Sequence, residues 1–449
     1  MKTTKISIIG AGSARFSLTL IQDLCLTPNL AGSMVSFMDV DQARLDAAFT
    51  ICQRYAAEVG ADLRLEKTTD RRESLQGTDF VINTALVAGH QMMMAGIQIA
   101  SDLGYRYGVS YHIMHDEPFW VNYHQFKFFD ELTTDMLEIC PKAWHLLVAN
   151  PVLAGTTHIH RKYPQAKMIG LCHGYANVYQ IAKVLGLDKK GLTFELPGLN
   201  HFIWLTHCHH NGENVLPRLD RWIEAESADY WENCWKPGEI NPNAVDLYQR
   251  FGVFPIGDTC TPGGGAWPWW YHTDDETEAY WKEDVAGYRQ RVFEKMKVTA
   301  NWSQELAANH ALRLTDEFSP EKSGWDMIPI IESLVCDIPR TFIINLGNDG
   351  NFVDGIPLDF EVEVPAMVSK SGIRGLHTQR LPTEILAYAL QDRVAPVNVE
   401  LAAYERGSRE LLLQLILMDP WTRSEQQAQD LLNAILSMPD NDSMRTHYT

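Results

Sequence analysis

The chain has 449 residues, with 38 basic and 57 acidic side chains and a formal net charge of −19. A negative field of this size excludes nucleic acid and anionic membrane surfaces as partners, and it favours a small soluble substrate. The length is sufficient for a large hydrophobic core that is divided between two or more lobes.

The first predicted element, residues 6–16, is a strand followed by a tight glycine turn and the start of a helix. Gly10 permits the sharp turn, and Gly12 permits the backbone to approach a pyrophosphate at the positive end of the helix, next to Ser13. Arg15 stands where a dinucleotide-binding motif has its third glycine, and its guanidinium is a cation that phosphate could use. These residues predict a nucleotide site.

The second predicted strand, residues 34–39, ends in Asp39. This acid lies further from the glycines than the usual spacing of about 20 residues, and the insertion 27–33 accounts for the difference. A carboxylate at this strand end accepts hydrogen bonds from the adenosine ribose, which favours NAD over NADP.

Three more apolar strands follow, each separated from the next by a helical pattern, at residues 79–85, 144–151 and 167–171. The alternation predicts an α/β fold with a Rossmann-like parallel sheet, whose ligands bind at the carboxyl ends of its strands. Asn83, Asn150 and Cys172 therefore face one crevice, with Asn83 on the cofactor side. Asn150 is either a turn-forming residue before Pro151 or a group that holds substrate hydroxyls.

A divalent metal site is predicted from Cys172 and His201, which stand at the ends of apolar segments. A thiolate and a neutral imidazole bind a borderline divalent ion and leave coordination positions open for substrate and water. The alternative is that Cys172 is an inert buried thiol.

The later run from His207 to His210 resembles a metal tract, but neighbouring residues in a strand face opposite sides. At most His207 and His209 share a face, which favours a solvated strand tip.

The pattern changes near residue 195, and we predict a nucleotide-binding domain, residues 1–195, followed by an α+β domain, residues 196–449, for substrate, metal and oligomerisation. The tryptophan-rich loop 252–271 is predicted either to form the site or to pack subunits together. Residues 358–365 alternate apolar and acidic side chains, which predicts a strand with one buried face. The pattern from 383 to 437 is strongly helical.

We expect a cytoplasmic protein. The eight cysteines include no Cys-x-x-Cys pair, and a chain of this length does not need a disulfide framework, so reduced thiols are favoured. The N-terminal apolar stretch is too short for a signal peptide, and no apolar run is long enough to cross a bilayer.

A series of short motifs, in this order across nearly the whole chain, resembles glycoside hydrolase family 4: Gly10-Ala-Gly-Ser13, Asn150-Pro151, Cys172-His173-Gly174, Asn200-His201, Asp258 and residues 345–365. That family comprises NAD- and manganese-dependent glycosidases whose nucleotide domain is similar to lactate and malate dehydrogenases. The resemblance implies that Cys172 and His201 hold Mn²⁺ and that Asn150 and Asn200 lie against the sugar. It also implies a homodimer or homotetramer.

The resemblance further implies a redox-neutral hydrolysis. NAD⁺ removes a hydride from C3 of the sugar, and the resulting ketone, polarised by the metal, acidifies the C2 proton. Elimination then expels the aglycone, water adds at C1, and the hydride returns to C3. Asp258 matches the C2 base of the α-specific members, and His173 stands where the phospho-sugar enzymes carry the acid for the leaving oxygen. From the residues alone, Asp258 reads as a turn-capping aspartate and His173 as a packing histidine.

In members of the family, the tripeptide that begins at the metal cysteine tracks the substrate, and Cys-His-Gly accompanies α-glucuronides. This sequence has Cys-His-Gly at 172–174, so α-glucuronides are the leading substrates. The alternatives are α-galacturonides, α-galactosides, α-glucosides and α-sulfoquinovosides. A sugar with an anionic C6 group needs a local cation, for which Arg374, His377 and Arg380 are candidates. A hydroxyacid dehydrogenase and a non-catalytic NAD-binding protein are the alternatives from other classes.

Overall fold

The computed structural model describes residues 3–106, 117–261 and 265–449. None of the helices in these ranges is both long and apolar enough to cross a membrane. The strands are β1 (Lys5–Ile9), β2 (Ser33–Met38), β3 (Leu63–Thr68), β4 (Phe80–Asn83), β5 (Trp144–Leu147), β6 (Lys167–Gly170), β7 (Leu192–Glu195), β8 (Gly198–Leu199), β9 (Phe202–Leu205), β10 (His207–His210), β11 (Glu213–Asn214), β12 (Phe254–Ile256), β13 (Arg340–Gly347), β14 (Glu361–Ser369) and β15 (Gly372–Gly375).

The α-helices, again in chain order, are α1 (Ala14–Cys25), α2 (Gln42–Val59), α3 (Arg71–Leu75), α4 (Gly89–Asp102), α5 (Phe119–Ile139), α6 (Val152–Lys162), α7 (Val178–Val184), α8 (Leu216–Ala225), α9 (Ser227–Asn233), α10 (Pro242–Phe251), α11 (Asp275–Trp281), α12 (Val285–Ala308), α13 (Leu314–Glu317), α14 (Met327–Cys336), α15 (Thr383–Ala389), α16 (Ala395–Arg406), α17 (Arg409–Leu417), α18 (Glu425–Leu436) and α19 (Asp442–His447).

Six strands of the N-terminal half form a parallel sheet in the order β3-β2-β1-β4-β5-β6. This is the strand order of a doubly wound dinucleotide-binding fold, so the predicted Rossmann-like sheet is confirmed. The same sheet continues beyond β6 with antiparallel strands of the C-terminal half, in the order β13-β14-β8-β9-β12, with β15 beside β14. A smaller sheet holds β11, β10 and β7. The predicted domain boundary at residue 195 falls between β7 and β8.

The first βα units show how local sequence sets the elements. β1 is an apolar run, and it pairs with β2 and β4 in the middle of the parallel sheet. Helix α2 begins after Asp41, whose carboxylate accepts hydrogen bonds from the backbone N–H groups of Ala43 and Arg44 at 3.0 and 3.1 Å. It ends at Gly60, whose φ of +75° is a left-handed conformation that glycine adopts without strain.

The predicted strand 358–365 corresponds to β14, which begins at Glu361. The expectation of one buried face was wrong, because Glu361 and Glu363 are only 0% and 1% exposed. β14 lies between β13 and β8 in the interior of the sheet, and helices α6 and α14 pack against it. A strand in this position is covered on both faces, so its carboxylates need polar partners inside the protein.

The tryptophan-rich loop contributes to the core. Trp267 is 2% exposed, its ring centroid lies 4.8 Å from that of Phe202 on β9, and its indole N–H donates to Asp392 at 2.9 Å. The sequence left a choice between site formation and subunit packing, but Trp267 instead packs behind the sheet. Trp269 is 43% exposed. Residues 262–264 of this loop lie outside the described residues.

Candidate active site

The predicted nucleotide turn connects β1 to α1 and has no room for side chains at its glycines. Gly10 has a φ of +88°, and a Cβ there would lie 2.8 Å from the backbone of Ala85. The Gly12 N–H donates to Asp39 Oδ2 at 2.8 Å, and a Cβ on Gly12 would lie 2.6 Å from that same oxygen. The structure therefore brings the glycine turn and the strand-end acid together, as a dinucleotide site requires.

The other residues predicted to bind the cofactor surround this turn. Ser13 is the N-terminal cap of α1 and is half-buried, whereas Arg15 is exposed on the first turn of the helix. Asn83 is fully buried at the end of β4, and its Oδ1 accepts a hydrogen bond from the Ala85 N–H at 3.1 Å. Its side-chain nitrogen has no hydrogen-bond partner among the described residues. A buried donor of this kind fits a bound polar ligand.

Cys172, His201 and Asp258 form a compact cluster that the sequence predicted only in part. One ligand atom from each side chain lies within 4.8 Å of the others, and His201 Nε2 is 3.5 Å from Asp258 Oδ2. Cys172 follows β6, His201 lies in the turn between β8 and β9, and Asp258 lies in a 3₁₀ turn after β12. A thiolate and an imidazole at this spacing are suitable ligands for a divalent transition metal, and the adjacent carboxylate can either complete the ligand set or act as a base.

A contact between two glycines brings Asp258 beside Cys172. Gly257 has a φ of +59°, and a Cβ there would lie 2.6 Å from the carbonyl oxygen of Gly174. A Cβ on Gly174 would lie 3.4 Å from Cys172 Sγ, which is ordinary van der Waals contact. The absence of a side chain at Gly257 therefore allows the turn after β12 to pack against the loop after β6.

The electrostatics of Cys172 fit a cation at this position. Burial raises the pKa of the Cys172 thiol, and His201 partly offsets that rise. The Gly174 N–H also donates to Cys172 Sγ at 3.3 Å. A bound divalent ion would deprotonate the thiol, so the residues present fit the metal that the resemblance implies.

His173 faces an aromatic wall that sequence reasoning missed. Its ring is stacked on Trp325, with centroids 4.8 Å apart and an interplanar angle of 22°. The other side of this wall is Phe16 on α1, whose centroid lies 5.7 Å from that of Trp325. Burial lowers the pKa of His173, so its protonated form gives up a proton more readily than an exposed imidazolium does. Trp325 lies far along the chain from His173, and no motif identifies it. Its ring lies between helix α1 and the loop that carries Cys172.

The two asparagines predicted to touch the sugar differ in their surroundings. Asn150 is half-buried, and its backbone carbonyl accepts a hydrogen bond from Gln125 Nε2 at 2.8 Å. Asn200 is fully buried, and its side-chain N–H donates to Glu363 Oε2 at 3.1 Å. Contact with substrate stays a prediction for both residues, and Asn200 has an additional structural role.

The candidate cations for an anionic sugar lie on the surface. Arg374 is exposed on β15 opposite Met367, which is four residues along β14 from Glu363, or roughly 13 Å at the rise of a β-strand. Arg380 is also exposed and lies 3.5 Å from Asp354, and His377 Nδ1 lies 3.1 Å from a backbone carbonyl. The role of the three residues in holding an anionic C6 group stays a prediction.

The histidine-rich segment is separate from the metal cluster. His207 and His209 share one face of β10, as predicted, with ring centroids 6.2 Å apart and an interplanar angle of 13°. His207 Nδ1 lies 3.7 Å from Glu195 Oε1. Across the ranges that the structure describes, Cys172, His201 and Asp258 are the one trio of histidine, cysteine or acidic residues whose spacing suits a metal ion.

The sheet and the cluster define a class of protein, namely a Rossmann-like protein with a dinucleotide turn and a candidate metal site. Residues 5–187 match the sequence profile of family 4 glycosyl hydrolases, and residues 196–422 match that of the family 4 C-terminal domain. The chain therefore belongs to glycosyl hydrolase family 4, and the resemblance predicted from the motifs is confirmed. It is a glycosidase.

Relatives of known activity match almost the whole chain. The α-galactosidase of Bacillus subtilis (strain 168) is 24% identical, with 96% of each chain covered. The α-galacturonidase of Thermoanaerobacter italicus is 22% identical over 93% of this chain and 92% of its own length. These names differ in the sugar, so they leave the substrate open.

Solved structures support the fold. The structure of a 6-phospho-α-glucosidase from gut microorganisms, in complex with NAD and Mn²⁺, superposes with a TM-score of 0.81 at 18% identity and covers 99% of both chains. A lactate dehydrogenase from Eimeria maxima superposes with a TM-score of 0.53 at 13% identity, covering 91% of this chain and 98% of its own. The expected likeness to lactate dehydrogenase is therefore confirmed at the level of the fold.

Proposed function

We propose that this glycosidase hydrolyses α-glycosides, with α-glucuronides as its leading substrates, by the redox-neutral route that uses NAD and a divalent metal. The observation that carries the proposal is the convergence of Cys172, His201 and Asp258 within 4.8 Å. Trp325 stacks on His173, which adjoins Cys172, and packs against Phe16 in the first turn of α1, the helix that follows the glycine turn. A hydrolase that uses acid–base chemistry alone needs neither a thiolate ligand nor a nucleotide turn.

NAD and Mn²⁺ would supply the redox and Lewis-acid chemistry, and the protein would supply binding and proton transfer. When bound, NAD would accept and return the C3 hydride, and Mn²⁺ would polarise the C3 carbonyl. Cys172 and His201 would hold the ion, and Gly10, Gly12 and Asp39 would hold the nucleotide. The protein's own task is to place the sugar between them and to move protons at C2 and at the leaving oxygen.

Asp258 is the proposed base at C2. Its Oδ2 lies 3.5 Å from His201 Nε2, so a sugar bound at the ion that Cys172 and His201 would hold lies beside this carboxylate. His173 is the proposed acid for the leaving oxygen, because it is adjacent to Cys172 and its stacking on Trp325 holds the ring in one orientation. Proton transfer by groups positioned in this way contributes typically about 10²- to 10⁴-fold to rate.

The glucuronide assignment rests on the tripeptide 172–174. A Cβ on Gly174 would lie 3.4 Å from Cys172 Sγ, so the third position of the tripeptide borders the proposed metal site. The alternatives with an anionic C6 group are α-galacturonides and α-sulfoquinovosides, and α-galactosides or α-glucosides are the neutral alternatives.

The test is release of p-nitrophenol from the α-glucuronide, α-galacturonide, α-galactoside, α-glucoside and α-sulfoquinovoside. Each substrate is assayed with and without NAD⁺, Mn²⁺ and a thiol reductant. Turnover that requires both cofactors, with no net NADH, is expected, and the α-glucuronide is expected to be the best substrate. Net NADH formation in step with substrate loss would instead indicate a dehydrogenase, and NAD binding without turnover on any glycoside would indicate a binding protein.

A cysteine variant tests the metal site directly. Cys172→Ser is expected to abolish turnover by weakening the metal site, because a serine hydroxyl is a poor substitute for a thiolate ligand, while NAD affinity stays nearly unchanged. The exposed Cys234 provides the matched control, and Cys234→Ser is expected to keep full activity. Activity retained in Cys172→Ser at low Mn²⁺ would remove Cys172 from the mechanism.

A further inference from the structure

A buried cluster of carboxylates and amides lies between the two proposed metal ligands. Cys172 follows β6 and His201 follows β8. Two strands, β13 and β14, lie between β6 and β8 in the sheet. The members of the cluster come from these inner strands and from the turn before His201. Each is 0% or 1% exposed, and they are Asn200, Asn345, Glu361 and Glu363.

Hydrogen bonds connect the cluster to the residue before His201. The backbone N–H of Asn200 donates to Glu361 Oε2 at 3.2 Å, and its side-chain N–H donates to Glu363 Oε2 at 3.1 Å. Asn345 lies opposite Glu363 in the register of β13 and β14. Its side-chain amide is assigned with the nitrogen toward the carboxylates, because only this orientation supplies the nitrogen with acceptors, Glu361 Oε1 at 2.6 Å and Glu363 Oε2 at 3.1 Å.

The backbone at His201 explains why this network matters. His201 has a φ of +58°, a left-handed conformation that is unfavourable for a residue with a Cβ and persists only where neighbouring contacts impose it. Asn200 precedes it directly and is fixed at both its backbone and its side chain. The network therefore restrains the residue directly before the left-handed turn at His201.

We propose that Glu363 is a positioning residue for the metal ligand His201, and that it acts through the side-chain amide of Asn200. This inference rests on the metal-dependent function proposed above. Glu363 does not need to touch the ion or the sugar. It holds the turn between β8 and β9 in the one conformation that presents His201 to Cys172.

A close approach of two strands also supports this placement. A Cβ on Gly170 of β6 would lie 2.9 Å from the Cβ of Asn345 on β13. The strands beside the cluster are therefore tightly packed, and the strand that leads to Cys172 is in contact with the network that holds Asn200.

The experiment measures Mn²⁺ affinity of the NAD-loaded protein by isothermal titration, without substrate. Glu363→Leu removes the acceptor and is expected to raise the Mn²⁺ Kd about 10- to 100-fold, the usual effect of losing a partner that orients a metal ligand. Glu363→Gln keeps an acceptor oxygen for Asn200 and is expected to restore most of the affinity. Asn200→Ala removes the donor from the other side and is expected to weaken Mn²⁺ binding to a similar extent.

The control is another buried glutamate that accepts a hydrogen bond from an asparagine. Glu400 is 2% exposed and accepts from Asn122 Nδ2 at 2.8 Å, on helices α16 and α5. Glu400→Leu is expected to lower thermal stability but to leave the Mn²⁺ Kd of the folded protein unchanged. NAD affinity and the melting temperature of every variant identify those that fail to fold, and Asn200→Ala supplies the test if Glu363→Leu is one of them.

The outcomes separate this inference from the proposed function. Wild-type protein that binds no Mn²⁺ would contradict the function itself. Wild-type protein that binds Mn²⁺, with unchanged affinity in folded Glu363→Leu and Asn200→Ala, would overturn the positioning role alone. An equal loss in Glu400→Leu would also overturn it, because the effect would then be general destabilisation.

Discussion

Gly12 and Asp39 are in direct contact at the dinucleotide turn, and the methyl group of an alanine at position 12 is expected to break this contact. In Gly12→Ala the new Cβ would lie 2.6 Å from Asp39 Oδ2 and 3.0 Å from the Cβ of Arg44. The carboxylate would have to move and lose its 2.8 Å hydrogen bond to the turn. We expect NAD affinity to fall at least about tenfold, equivalent to about 1.4 kcal/mol, as measured by titration calorimetry.

Gly60→Ala is the control for this substitution. Gly60 also resists a side chain, because its φ is +75°, but no atom lies within 4 Å of a Cβ there. Its replacement is expected to cost about 1 kcal/mol of stability through backbone strain and to leave NAD affinity unchanged. An equal loss of NAD affinity in both variants would show that the effect of Gly12→Ala is not local.

His145 is expected to make the protein sensitive to acid. It is 1% exposed on β5, neither ring nitrogen has a hydrogen-bond partner among the described residues, and burial lowers its pKa to about 4. Between the unfolded pKa of about 6.5 and this folded value, the unfolded chain binds a proton that the folded protein excludes, so stability falls as pH falls. From pH 7 to pH 5 the loss from this residue is about 2 kcal/mol.

Urea unfolding at the two pH values measures this loss. His145→Leu is expected to reduce the fall in unfolding free energy between pH 7 and pH 5 by about that 2 kcal/mol. The exposed His310 is the comparison residue, and His310→Leu should leave the fall unchanged. The same pH dependence in wild type and His145→Leu would contradict the assignment to His145.

At the level of elements, helix α12 of the C-terminal half packs against α2 of the nucleotide-binding half. At the C-terminal end of α12, Arg54 on α2 donates from Nη1 to Leu306 O at 3.1 Å and from Nη2 to Leu312 O at 2.7 Å. A guanidinium at a helix C-terminus satisfies carbonyls that the helix leaves without partners.

Arg54→Ala is therefore expected to loosen this end of α12. The lost charge-assisted hydrogen bonds correspond to about 2 kcal/mol of unfolding free energy, and amide hydrogen exchange in the last turns of α12 should accelerate. Arg250→Ala provides the contrast, because Arg250 is exposed and pairs with Asp246 on the same helix. Such a surface pair contributes about 0.5 kcal/mol. Equal destabilisation by the two substitutions would show that the contact with α12 is unimportant.

The elements also show what the sequence could and could not reveal. The sequence predicted that Asn83, Asn150 and Cys172 face one crevice, because each follows an apolar strand. The carboxyl ends of parallel strands lie at one edge of a sheet whatever its other details. The alternation in β14 could not reveal that Glu361 and Glu363 are buried. The same pattern describes an edge strand with a wet face, and only the pairing with strands from distant parts of the chain distinguishes the two.

The roles of individual tryptophans were also not predictable from the sequence. Trp267 and Trp325 have the same local signal, a tryptophan beside turn residues, yet one packs in the core and the other stacks on His173. Aromatic rings suit cores, interfaces and sugar sites equally well. Their roles depend on long-range packing, which single-sequence patterns do not encode.

For the whole molecule, the continuous sheet implies that the two halves depend on each other for stability. β6, the last parallel strand, pairs with β13 at the Asn345–Gly170 position. Helix α14 contributes a set of fully buried residues to the core of the nucleotide-binding half: Met327, Ile328, Ile330 and Ile331. A fragment of residues 1–195 would lack both elements. It would expose an unpaired strand edge and an apolar patch, which are the usual causes of aggregation.

We therefore expect the fragment 1–195 to bind a hydrophobic dye such as ANS, to unfold without a cooperative transition and to bind NAD weakly. The full chain should unfold in a single calorimetric transition that saturating NAD⁺ moves to higher temperature, because ligand that binds only the folded state stabilises all of it. NAD⁺ at about 100 times its Kd should add about 2.7 kcal/mol. A soluble fragment with its own cooperative transition and full NAD affinity would contradict this dependence, and it would show that α14 and β13 stabilise only the metal-binding half.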